Sequence, residues 1–138
     1  HHLRNWRSDW RTIVNRMALD QHQRIAQMTF ATVYPLYLNK VQKKGRTQQE
    51  LNAIISWLTG LKEPEWQQKM EALETFSVFF ESIILPAESI LIKGNICGYR
   101  IEEIENPLTQ KVRMLDKLVD ELAKGKGLDK IIRKFPAT

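Results

Sequence analysis

The side chains that could do chemistry here are few, and spacing decides what each can be. Glu102, Glu103 and Glu105 fall within four positions. Paired carboxylates act as general acid and base when burial pushes their pKa values apart. These three stand just before an Asn106-Pro107 helix start, where acids facing water already favour the helix dipole. The solvated role is therefore the expected one. Tyr99 and Arg100 precede them, and Tyr99, Arg100, Glu102 and Glu103 form the candidate site for a small ligand or an enzyme. Cys97 is the single cysteine. As a nucleophile it would need a base such as histidine. Free cysteine is among the most buried residue types, so a buried structural role is expected. His22 is the only histidine besides His1 and His2, which look like the stub of an affinity tag. No His-x3-His or carboxylate–histidine spacing occurs, so neither a metal site nor a catalytic set is expected. No glycine-rich phosphate loop occurs either, and no cofactor is expected. Gly125-Lys126-Gly127 follows a helix, the wrong end for an anion.

Lys40, Lys43, Lys44 and Arg46 form a basic cluster across the end of one helix and the turn into the next. A helix-turn-helix reader of DNA has a short turn in that place. The helix that follows presents Gln48, Gln49, Glu50, Asn52 and Ser56 outward and no arginine. Affinity for nucleic acid rests on phosphate neutralisation by lysine and arginine, and cations at a helix C-terminus already complement its dipole. Nucleic acid is thus the alternative partner, and it is not favoured.

The elements that must position these residues are mainly helical. Leu3, Trp6, Trp10, Ile13, Val14 and Met17 have helical spacing, with arginines between them. Residues 29–44 carry an apolar face of Phe30, Val33, Tyr34, Tyr37, Leu38 and Val41, with Pro35 tolerable in the first turn. Gly45 ends this helix, and Thr47-Gln48-Gln49-Glu50 is a capping box for the next, which stops at Gly60. Pro64 opens a short helix with Trp66, Met70 and Leu73. Thr75 caps one holding Phe76, Phe79 and Phe80. Residues 89–101 lean towards extended structure, with a small hairpin turning at Lys93-Gly94-Asn95. Asn106-Pro107 starts the longest clear helix. Leu108, Val112, Leu115, Val119 and Leu122 form its seam, with Lys117–Glu121 and Asp120–Lys124 as pairs on the wet side. Gly125 stops it, and a last short helix carries Leu128, Ile131 and Ile132. The fold expected is mainly α: a compact bundle of about five or six helices of unequal length, with a short β-hairpin near residues 90–101.

The chain has 138 residues, 43% hydrophobic and 27% charged, with no apolar run near membrane-spanning length. These values exclude wholesale disorder and a helical membrane protein. One domain is expected over 17–138. Residues 1–16 are either tag-derived or a peripheral N-terminal helix, with Met17 a credible start. A lone cysteine points to the cytoplasm. The net charge of +5 is unevenly placed: residues 1–16 carry +3, residues 17–62 carry +4, residues 63–121 carry −6 and residues 122–138 carry +4.

Several blocks together resemble a known family. They are Phe30-Ala31-Thr32-Val33-Tyr34-Pro35-Leu36-Tyr37, Lys43-Lys44-Gly45-Arg46-Thr47, Trp57-Leu58-Thr59-Gly60, the run 97–105 and the run 115–126. In this order they look like domain of unknown function 2200, a bacterial family, over residues 23–134. That resemblance implies a small bacterial protein and supplies no catalytic motif. The family pattern opens with His-Arg-Ile-Tyr, where this chain has Gln23-Arg24-Ile25-Ala26. The function expected is a non-enzymatic helical domain acting on a protein partner or on a second copy of itself, with no membrane association. A nucleic-acid module at 40–46 and a ligand site or enzyme at 97–105 are the alternatives.

Overall fold

In the computed structural model, residues 6–137 are described. His1, His2, Leu3 and Arg4 lie outside that range, and so do the side chains of Trp6, Arg7 and Val14. Helices α1 (Trp6–Gln27), α2 (Phe30–Gln42), α3 (Gln48–Thr59) and α4 (Glu63–Glu71) come first, then the short α5 (Phe76–Glu81). A 3-10 turn at Ala87–Leu91 leads to strands β1 (Asn95–Ile96) and β2 (Tyr99–Arg100), and a second follows at Ile101–Glu103. Helix α6 (Pro107–Ala123) and the single turn of α7 (Leu128–Ile131) complete the chain. The mainly α bundle with one small hairpin is as the periodicity predicts.

The start and stop residues do what their chemistry dictates. Thr47 Oγ1 accepts from the Glu50 amide at 3.1 Å, and Glu50 Oε1 accepts from the Thr47 amide at 3.0 Å, closing the capping box. Asn106 Oδ1 accepts from the Thr109 amide at 2.9 Å and opens α6. Gly45 takes φ +79°, in the left-handed region that side chains resist. No atom lies within 4 Å of where its Cβ would stand. Gly45→Ala therefore meets backbone strain alone, and thermal unfolding should show a loss of about 1 kcal/mol. An unchanged melting temperature would contradict the strained turn.

α6 is the axis of the core. Val112, Leu115, Leu118, Val119 and Leu122 are buried on it, and α1, α2, α3, α5, α7 and β1 all pack around it. A second cluster is aromatic. Phe30 lies 4.7 Å from Phe79 and 5.9 Å from Phe76 between ring centroids, with Tyr34 edge-on at 6.0 Å and Trp66 at 6.1 Å. The entrances of α2 and α5 are tied together there. Phe30 N–H donates to the Glu74 carbonyl at 3.2 Å, and Phe76 N–H donates to the Met28 carbonyl at 2.8 Å.

Several local expectations are corrected. α1 runs past the residues with helical spacing up to Met17 and continues to Gln27, because residues 18–27 contain no glycine or proline to stop it. Pro35 is the sixth residue of α2, beyond its first turn; packing of Val33, Tyr34 and Tyr37 on either side of it holds the helix through the lost hydrogen bond. The hairpin turns at Cys97-Gly98, not at 93–95, with Asn95 opposite Arg100 and Ile96 opposite Tyr99. Both turn residues have positive φ, +51° and +81°, which gives the strand twist a two-residue turn requires. Cys97 is consequently exposed at a turn tip rather than buried. Asn52 is buried rather than outward, because its amide bridges Tyr34 and Glu63 at 2.6 and 2.7 Å. Glu121 is buried as well. Arg133 from beyond α7 holds it at 2.7 Å, while Lys117 reaches the Asn95 carbonyl instead.

Candidate functional site

Two helix faces and the hairpin enclose a cleft of about 310 Å3. Helix α2 contributes Val33, Leu36, Tyr37 and Lys40, spaced i, i+3, i+4 and i+7, so all four share one face. Helix α6 contributes Val112, Arg113, Asp116 and Val119, spaced i, i+1, i+4 and i+7. Ile25 and Met28 close one end, Phe76 the floor, and Ile96 and Cys97 the hairpin side. The lining is chiefly aliphatic, and the exposed Met28 and Leu36 extend it onto the surface.

Three polar groups of the cleft, Tyr37, Asp116 and Arg113, form one connected set. Tyr37 O–H donates to Asp116 Oδ1 at 2.5 Å, and Arg113 donates to Asp116 Oδ2 at 3.0 Å. The Arg113 guanidinium also lies 5.1 Å from the Tyr99 ring centroid, within cation–π range. Tyr99 in turn donates its O–H to Gln21 Oε1 at 2.6 Å. Burial pushes the Tyr37 phenol well above its usual value, and the Asp116 charge pushes it further. Tyr37 therefore stays a neutral donor at physiological pH, far from the poise a general base needs. Arg113 Nε is buried and has no acceptor. An unsatisfied buried donor costs about 1–3 kcal/mol.

Of the four residues of the ligand site expected at 99–103, three share one concavity and Glu102 lies on another. Tyr99, Arg100 and Glu103 border a concavity of about 430 Å3 with His22 and Thr109. Glu102 lies on another, of about 340 Å3, and its carboxylate accepts from the Gly94 amide at 3.1 Å. His22 Nδ1 stands 2.6 Å from Thr109 Oγ1. Arg100 and Glu103 are exposed and 3.7 Å apart, a separation at which a surface pair contributes little.

The basic cluster is divided in a different way. Lys43 and Lys44 are exposed, whereas Lys40 pairs with Asp120 at 3.1 Å. Arg46 is folded back as a brace between α3 and the end of α6. It holds Glu50 at 2.6 Å and donates to the carbonyls of Leu122 at 3.0 Å and Lys126 at 2.8 Å. The Arg46 hydrogen bond, followed by that of the Thr47 amide, pulls the Glu50 carboxyl from 4.5 down to about 2. A carboxyl with a depressed folded-state pKa contributes stability above its unfolded value and loses it as pH falls through the folded one. The stability difference between the parent and Glu50→Gln should thus be constant above about pH 4.5 and shrink between there and 2. Urea titrations at several pH values check it, and a gap that persists at pH 2 would contradict the assignment.

A more open hollow of about 700 Å3 at the α6–α7 turn is lined by charge, including Lys117, Lys124 and Lys126. Each of these lysines already has an acceptor: the Asn95 carbonyl, Asp120 and Glu121 respectively. Among the described residues no group of three His, Cys, Asp or Glu side chains is placed to hold a metal ion. No helix among them is long and apolar enough to cross a membrane.

The spacing of residues 33–40 and 112–119 carried part of this site as apolar faces. The link from Tyr37 to Asp116 joins positions 79 residues apart, and nothing in the local sequence marks it.

Residues 24–133 match the model of the family described as "Uncharacterized protein conserved in bacteria (DUF2200)". A solved structure titled "Crystal structure of uncharacterized protein SP1917" is similar at 40% identity, with a TM-score of 0.75, over 80% of this chain and 91% of that one. No curated protein matches the chain.

Proposed function

We propose, starting from the fact that this chain belongs to the DUF2200 family of bacterial proteins, that it is a non-enzymatic binding domain whose cleft between α2, α6 and the hairpin takes a small, largely apolar group. The observation that carries this reading is the cleft itself: aliphatic walls around one connected polar set, Tyr37–Asp116–Arg113. Binding pockets combine apolar lining with a few placed polar groups. The neutral Tyr37 and the paired Asp116 support binding over proton transfer. Titrating the labelled protein with 1-hexanol and following its methyl resonances tests the reading. Shifts should concentrate at Val33, Leu36, Val112 and Val119. Shifts scattered over exposed positions such as Ile84 and Ile90, with none in the cleft, would overturn it.

A second reading is association with a protein or another copy of the chain. It is favoured by Trp10, Ile13 and Met17, which are exposed at i, i+3 and i+7 along α1. Such a stripe suits a partner helix. Sedimentation over a range of concentrations, with and without Trp10→Ser, distinguishes a self-associating stripe from a solvated one. The nucleic-acid reading at 40–46 is left with Lys43 and Lys44, since Lys40 and Arg46 are paired within the fold.

A further inference from the structure

We infer that the exposed stripe of α1 pairs with the same stripe of a second copy, the two helices running antiparallel. The inference rests on the association reading and adds the partner, the residues that meet and their direction. α1 is anchored from position 21 onwards. Tyr99 O–H donates to Gln21 Oε1 at 2.6 Å, His22 Nδ1 stands 2.6 Å from Thr109 Oγ1, and Ile25 packs on the core. Before that point Trp10, Ile13 and Met17 are exposed, and so are Arg11 and Arg16 to either side of them. A helix extended beyond its packed part is held by propensity alone, which is near break-even even for good formers. Residues 6–17 hold only three arginines and a methionine from among the better formers, and no alanine. This stretch therefore needs packing to hold its turns, and among the described residues its apolar stripe is uncovered.

Spacing selects the occupant. Positions 6, 10, 13 and 17 of α1 step by 4, 3 and 4, the a and d positions of a heptad. A strict a/d stripe is narrower than the face a helix lays on a core, and it matches one partner helix. Charge sets the direction. Positions 9 and 16, aspartate and arginine, are both g positions, each just before an a position. With Trp10 level with the partner's Ile13, an antiparallel pair brings position 9 beside the partner's Arg16. Symmetry repeats that contact, so one edge carries two acid–base pairs. A parallel pair sets each g position against the partner's next e position, here valine 14 and glutamine 21, which carry no charge. The antiparallel pair also fits the rest of the molecule. Positions 6–17 overlap over about 18 Å, and position 6 of the partner comes level with Met17, one turn short of the Gln21 anchor. The packed bodies then lie at opposite ends of the pair.

Sedimentation equilibrium of the full chain at low ionic strength, from about 10 μM to 1 mM, tests this. The parent should form a dimer and nothing larger, because two copies of one stripe close on each other. The seam is short, so its Kd should be about 100 μM, and a melt at a few micromolar reports the monomer. Asp9→Arg or Arg16→Asp alone sets like charges together twice per dimer and should weaken it about tenfold. The double variant Asp9→Arg/Arg16→Asp restores the opposition and should return Kd to within about threefold of the parent. Trp10→Ser should leave a monomer. A parent that stays monomeric to about 1 mM overturns self-pairing. Uptake of that monomer by phosphatidylglycerol vesicles, lost in Trp10→Ser, would make a lipid surface the partner of the stripe instead. If Trp10→Ser abolishes a dimer that the double variant does not restore, the antiparallel pairing is overturned and the association reading stands. A dimer untouched by Trp10→Ser overturns both. The parent's concentration series decides self-pairing even if a variant does not fold.

Discussion

Phe30→Ala is expected to bring the domain close to the limit of folding. The ring is fully buried and is the shared neighbour of Tyr34, Trp66, Phe76 and Phe79. Truncating a buried phenylalanine costs about 3–5 kcal/mol, from lost transfer energy and the cavity that remains. Each aromatic pair adds about 0.5–1.5 kcal/mol beyond area burial, and several are lost together. A domain of this size has about 5–15 kcal/mol in all. The loss should be large because the site cannot collapse. Backbone hydrogen bonds from Phe30 to Glu74 and from Phe76 to Met28 fix both helix entrances around the gap. Urea unfolding should show a much lower midpoint with little change in slope. Phe30→Leu, which keeps most of the volume, should cost clearly less. A Phe30→Ala protein as stable as the parent would mean that the aromatic cluster does not hold α2, α4 and α5 together.

Leu115→Ala is the second large effect, expected at about 2–5 kcal/mol. Leu115 is fully buried at the middle of α6, with Val112 and Val119 buried one turn to either side. Since α2 and α3 of the same chain cover that seam, the melting temperature of parent and variant alike should be independent of protein concentration. A seam shared between two copies would make it rise with concentration. Leu36→Ala is the matching control. Leu36 is 62% exposed on the rim of the cleft, and surface changes of this kind stay within about 0.5 kcal/mol. Should Leu115→Ala behave like Leu36→Ala, α6 would have been assigned the wrong inward face.

The legible part of the candidate site was its apolar half. Val33, Tyr37, Val112 and Val119 follow from helical periodicity. The selection among polar residues was not legible. Tyr99, Arg100, Glu102 and Glu103 are near neighbours in sequence, yet the 3-10 turn at Ile101–Glu103 sends Glu102 to a different concavity from the other three. Arg46 belongs to a basic run by composition, although the structure uses it as a brace on α3 and α6. Cys97 resembles a core residue by type and is a turn tip in fact.

These outcomes divide along one physical line. What the sequence by itself determined is everything set within one or two turns of the chain: the Thr47 capping box, the Asn106 cap, the left-handed glycines at 45, 60 and 125, and the inward faces of α2, α3 and α6. Hydrogen bonds between residues three or four apart and the periodicity of burial act over that range, so residue type and spacing suffice. What only the tertiary structure decided is which polar groups meet: Tyr37 with Asp116, Arg46 with the end of α6, and Arg133 with Glu121. Those partners are 79, 76 and 12 positions apart. A long polar side chain is indifferent to its place in the local pattern; a buried charge or hydroxyl must instead find its complement wherever packing brings one within hydrogen-bond reach. That choice is made by the way α2, α3 and α7 lie against α6, and the unanswered Nε–H of Arg113 is a product of the same packing.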